Sequence, residues 1–108
     1  MPAALPTITV NPLAPQALVM TCSPSDALQD MTKVASSVIR LMKPDGTIIV
    51  LTATGTATRN LLTLRYPFAL GDVDQVGVYT ERPVHTLISG LTIKGSVQQF
   101  QAIADDGL

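Results

Sequence analysis

Between Leu61 and Phe68 the side chains alternate without interruption. Leu62, Leu64, Tyr66 and Phe68 fall on one side, and Leu61, Thr63 and Arg65 on the other. A period of two with a single apolar side describes a strand that lays one face on a core. Pro67 marks the end or edge of that strand. No stretch shows a comparable pattern at helical period. The one plausible helical run, Ser25 to Met31 after Pro24, has Ser25 as a cap but is too short to stand alone.

The rest of the chain repeats the strand signature between turn residues. Thr7 to Val10, Gln16 to Cys22, Lys33 to Met42 and Thr47 to Ala53 are rich in Val, Ile, Thr and Leu and are bounded by Pro, Gly, Asn or Asp. Thr54 to Asn60 reads as a polar turn and Ala69 to Val76 as a loop. Gly77 to Glu81 begins another strand, which continues less regularly past Pro83 to Ile88. Leu91 to Ile93 and Gln98 to Ile103 form a last strand or strand pair, broken at Gly95. The strongest local signal is Lys43-Pro44-Asp45-Gly46. Pro44 presets the first corner of a tight turn, Asp45 suits the second, and Gly46 can take the positive φ that closes a hairpin.

Short strands separated by frequent turns, with no long helix to build parallel crossovers, predict an all-β antiparallel sandwich of about seven strands. Residues 1–15, with Pro2, Pro6, Pro12 and Pro15, read as an arm or edge strand, able to dock on a neighbouring subunit or on their own domain. Residues 16–108 form the sandwich, and the polar end Asp105 to Leu108 is expected to fray.

Charge then limits the partners. Charged residues make up 14% of the chain, against roughly 25% in ordinary soluble domains, so the chain has little electrostatic defence against association. The basic residues Lys33, Arg40, Lys43, Arg59, Arg65, Arg82 and Lys94 are scattered singly and the net charge is -1. That argues against nucleic acid. Ile48 to Leu51 is the longest apolar run, far below the ~20 residues of a membrane span. Met1 to Pro6 lacks the features of a signal peptide. Cys22 has no partner for a disulfide, consistent with folding in a reducing cytoplasm.

A catalytic set is hard to assemble. His85 is the single histidine and Cys22 the single cysteine, too few for a metal site, and no cofactor is expected. A nucleophile and base could be built only from His85 with a serine or Cys22, and no nucleophile-elbow motif is present. Asp72 and Asp74 are spaced like a carboxylate pair, but they lie in the loop composition Gly71 to Gly77, where turn formation explains them. Asp105 and Asp106 belong to the tail. Gly71 and Gly77 do not match phosphate-binding spacing. Tyr66, Phe68, Tyr79 and Phe100 are too few for a nucleic-acid platform and read as core.

Two segments carry a resemblance. Val38 to Thr47 is a strand running into Lys43-Pro44-Asp45-Gly46-Thr47, and Phe68 to Tyr79 is an acidic loop leading into Gly77-Val78-Tyr79. The Phe68 to Tyr79 segment resembles the tyrosine corner of immunoglobulin-like sandwiches, in which a tyrosine hydroxyl bonds back to upstream backbone. Asp74 stands one residue further from Tyr79 than in the usual motif, and the immunoglobulin disulfide and core tryptophan are missing. In order and spacing the stretch from about Val34 to Ile93 is similar to small immunoglobulin-like domains of tailed-bacteriophage virions, the N-terminal domain of baseplate upper proteins in particular. The resemblance implies an immunoglobulin-like antiparallel β-sandwich that is a structural or accessory virion subunit: a decoration, cement, connector, tail or baseplate component. It would contact other virion proteins and copies of itself, be made in the host cytoplasm and reside in the particle. The alternative is a stand-alone immunoglobulin-like binding module, of adhesin type, for a protein or sugar. An enzyme has no residue set behind it.

Overall fold

The computed structural model describes residues 5–24 and 28–105. Its strands, in chain order, are β1 (Thr7–Thr9), β2 (Ala17–Cys22), β3 (Val34–Met42), β4 (Ile48–Thr58), β5 (Leu61–Pro67), β6 (Gly77–Leu87), β7 (Thr92–Lys94) and β8 (Gln98–Ile103). The bend between β3 and β4 is closed from several directions. The Lys43 N–H donates to the Thr47 carbonyl at 2.8 Å and the Gly46 N–H to the Lys43 carbonyl at 2.9 Å. The Asp45 carboxylate accepts from the Thr47 N–H at 2.9 Å. The result sets Met42 opposite Ile48 in an antiparallel ladder.

β4 then changes partners. Ile48 to Ala53 pair with β3, and Thr54 to Thr58 pair with β5. The expected polar turn at Thr54 to Asn60 is therefore strand as far as Thr58, and the reversal is confined to Arg59 and Asn60. The reason lies in the side chains: Thr54, Thr56 and Thr58 are β-branched residues suited to an exposed pleat, so polarity here signals solvent rather than a bend. Through this strand a single curled sheet in the order β1-β8-β6-β3-β4-β5-β2 becomes two layers, with β7 also paired to β6. The protein is an all-β, immunoglobulin-like sandwich.

Two further expectations are corrected. The pairing is not wholly antiparallel: β1 runs parallel to β8, Thr7 opposite Gln101 and Thr9 opposite Ile103. Thr7–Thr9 of the proline-rich arm thus completes the edge of its own domain, held also by a bond from the Gln101 N–H to the Pro6 carbonyl at 2.8 Å. Nor does the described part of the run after Pro24 form an α-helix. Ser25, Asp26 and Ala27 lie outside the described residues, and Met31–Lys33 is one 3-10 turn whose start is capped by Asp30, which accepts from the Thr32 N–H at 3.0 Å.

β6 is central, yet it contains Pro83 between Arg82 and Val84. A proline normally breaks a central strand because it has no N–H to donate. Here β8 pairs with β6 only through Glu81 and β7 only from Val84 onward, so Pro83 falls in the gap between two partners. Its carbonyl is taken by the Gly95 N–H at 2.8 Å. Between the layers lie Leu18, Met20, Leu62 and Leu64 from one side and Ile39, Leu41, Leu51, Tyr79, Phe100 and Ala102 from the other, all buried. Val73 and Met31 belong to the same buried cluster.

Candidate interaction site

The two segments singled out by motif meet at one end of the sandwich. The side chain of Gln75 brackets Asp45: its Oε1 accepts from the Asp45 N–H at 3.2 Å and its Nε2 donates to Asp45 Oδ2 at 2.9 Å. Lys43 Nζ donates to Asp74 Oδ1 at 2.8 Å and to the Gly71 carbonyl at 3.0 Å. This pairing pushes the Lys43 ammonium above its ordinary range and holds the Asp74 carboxyl below it. Asp72 accepts from Tyr66 Oη and from the Ala69 N–H, both at 2.8 Å. Gly77 has φ +138°, and a β-carbon there would stand 2.9 Å from Pro44 Cγ, so a side chain would collide with the bend. Tyr79 is wholly buried, its ring stacked on Phe100 at 5.1 Å and 5°. Its hydroxyl accepts from the Gln75 N–H four residues back, at 2.9 Å. The Asp74 carboxylate bonds Lys43 rather than the tyrosine. Each of these carboxylates is occupied in bracing the fold, and Asp106 lies outside the described residues.

On the inward face of β6, Tyr79, Glu81, Pro83, His85 and Leu87 follow one another at alternate positions. Ser37 of β3 stands directly opposite His85, and its Oγ lies 2.7 Å from His85 Nδ1. Burial pulls the imidazole below its ordinary pKa, so it is neutral near neutral pH. His85 also borders a cleft of about 550 Å3 between β2 and β7, with Met20, Cys22, Met31, Ile93 and Lys94. Ser37 does not line that cleft, and among the described residues no carboxylate is bonded to the pair. The hydroxyl and the imidazole engage each other, a buried polar contact between β3 and β6. Burial raises the half-buried Cys22 thiol, leaving little thiolate at neutral pH. Among the described residues no three His, Cys, Asp or Glu side chains converge to hold a metal. Glu81 is 4% exposed, its Oε2 has no hydrogen-bond partner, and burial pushes its carboxyl up to about 7.

The outer face of the larger layer is where an exposed site lies. Ile39 and Leu41 point inward on β3, so Arg40 and Met42 point out; Glu81 and Pro83 point inward on β6, so Thr80 and Arg82 point out. The ladder sets Arg40 directly opposite Arg82 and Met42 opposite both Ile48 and Thr80. Around them Met42, Ile48, Val50, Val78, Val97 and Ile103 are each at least 40% exposed. Along the sequence Arg40 and Arg82 are single basic residues 42 positions apart. Strand phase marks each as outward-facing, but only the β3–β6 register brings them together.

No family model matches the sequence, and a search of curated proteins returns no match. Among solved structures, the chain is similar to CopC from Methylosinus trichosporium OB3b, with a TM-score of 0.52 and 17% identity over 98% of this chain and 90% of that one. At that identity the likeness is one of fold.

Proposed function

We propose that this protein is a structural or accessory subunit that works through contacts with other proteins rather than through chemistry, and that its setting is a tailed-bacteriophage virion. The observation that carries the first half is the outer face of the larger layer. It exposes Met42, Ile48 and Val50 side by side on β3 and β4, beside the Arg40–Arg82 pair. Exposed apolar side chains grouped in this way mark a surface that another macromolecule covers. The low charge of the chain supports the same reading. The virion setting rests on the resemblance of Val34 to Ile93 to virion immunoglobulin-like domains, and the fold is compatible with it.

The cleft beside His85 favours a different reading, a stand-alone binding module. Its volume of about 550 Å3 suits a small ligand or peptide. A sugar is the weaker choice of occupant, because none of Tyr66, Phe68, Tyr79 and Phe100 lines it. Two measurements separate the readings: the position of the coding sequence, and cosedimentation of the purified chain with heads and tails of the corresponding particle. A coding sequence among terminase, portal or tail genes, with cosedimentation that Met42→Thr/Ile48→Thr weakens, is the expected result. A coding sequence outside any such cluster, with a chain that stays monomeric and ignores the particle, overturns the proposal.

A further inference from the structure

We infer that the Arg40–Arg82 pair is the seat for a carboxylate on a partner protein, an aspartate or glutamate side chain presented from an apolar patch; the inference rests on the protein-contact reading above and gives that contact its chemistry. Like charges directly opposite on a ladder repel, with β-carbons only about 5 Å apart. Nothing within the described residues relieves that repulsion. Glu81 is the single carboxylate in all the strands, and it faces inward. Among the described residues neither arginine has an ionic or hydrogen-bonded partner, and Arg82 Nε is buried with its donor unused. A desolvated donor without an acceptor is costly, and the missing group is an anion.

The surroundings say which anion. Arg40, Arg82 and Thr80 border a hollow of about 170 Å3 whose other lining residues are Met42, Ile48, Val97 and Glu81. Thr80 Oγ1 already accepts from Gln99 Nε2 at 3.2 Å, which leaves its proton to donate into the hollow. Guanidinium groups bind carboxylates through paired N–H donors, and apolar walls strengthen the attraction by excluding water. A nucleic acid would want a longer run of cations than Arg40, Arg82 and the nearby Lys94 supply. A second copy laid face to face would bring four guanidiniums together, and the acidic end of another copy offers Asp45, Asp72 and Asp74, which are already engaged. We take the partner to be a different chain, and self-association through this face is an outcome that refutes it.

The test uses the intact protein, labelled with 15N and with 13C at the methionine methyls, and follows the Arg40 and Arg82 Nε–H signals and the Met42 methyl. The probes are N-acetyl-Leu-Asp-Leu-amide, its Asn counterpart and inorganic phosphate. The Asp peptide is expected to shift all three signals saturably in the millimolar range, at least about tenfold more tightly than the Asn peptide. Arg40→Gln and Arg82→Gln should each lose saturation while the dispersed amide spectrum is retained. Equal binding of the Asn peptide, phosphate binding as tight as the Asp peptide, or self-association through this face would each overturn the inference. So would particle binding that Met42→Thr/Ile48→Thr abolishes and Arg40→Gln leaves untouched, an outcome under which the protein-contact reading would still stand.

Discussion

Tyr79 holds two connections at once: its ring is stacked on Phe100 in the core, and its hydroxyl receives the Gln75 N–H at the start of the turn into β6. Removing only the hydroxyl leaves the ring packing intact and the amide without its acceptor. Tyr79→Phe is expected to cost about 1 kcal/mol in urea unfolding; an unchanged midpoint would mean the bond contributes nothing. Glu81 has a larger effect, and its sign runs opposite to the usual carboxylate. Its ordinary value of 4.5 is raised to about 7 in the fold by burial, so the native state holds the proton more tightly than the unfolded chain. Stability from this group is complete below the ordinary value and is lost as pH rises through about 7, by roughly 3 kcal/mol. Glu81→Gln should flatten the decline in thermal midpoint across that window. A wild-type profile already flat there would show that the carboxyl is not desolvated. Strand phase puts Glu81 on the same side as Tyr79, but nothing in the sequence says that its carboxyl is left there without a hydrogen-bond partner for Oε2.

At the scale of elements, alternation is the readable signal and polarity the misleading one. The face Leu62, Leu64, Tyr66 and Phe68 turns inward as its alternation predicts, with Tyr66 half-buried and the other three buried. The Thr-rich half of β4 resembles a turn because Thr54 to Thr58 are exposed on both faces, so this stretch has no apolar side to display. The sequence pattern gives β7 and β8 as a strand or pair broken at Gly95, and the break has a cause that pattern alone does not supply. A β-carbon on Gly95 would stand 2.5 Å from Pro83 Cγ, across the gap in the ladder. Gly95→Ala must displace either β7 or the proline ring. It is expected to lower stability by about 1–3 kcal/mol, and to speed amide exchange at Ile93 and Lys94 before that at β8. Exchange that stays slow in β7 would show that the ring gives way instead.

For the whole molecule, the division of β4 between the layers has a thermodynamic consequence. Neither layer can lose its ladder without freeing a strand of the other, so the two should melt together. Amide protection in the β2–β5 ladder and in the β3–β6 ladder is expected to vanish at the same denaturant concentration, and separate midpoints would refute this. The outer-face site belongs to this scale as well. Arg40 and Arg82 are far apart in the chain and become neighbours only through register, which single-residue reading cannot reach.

The parallel seam between β1 and β8 bears on how such a domain would carry load. A pull on the segment before Thr7 and on the segment after Ile103 runs lengthwise along both strands in opposing directions. Every rung of that seam is then strained together, and none can be peeled open in turn. Tension entering through these two ends meets the domain in shear, its stiffer direction.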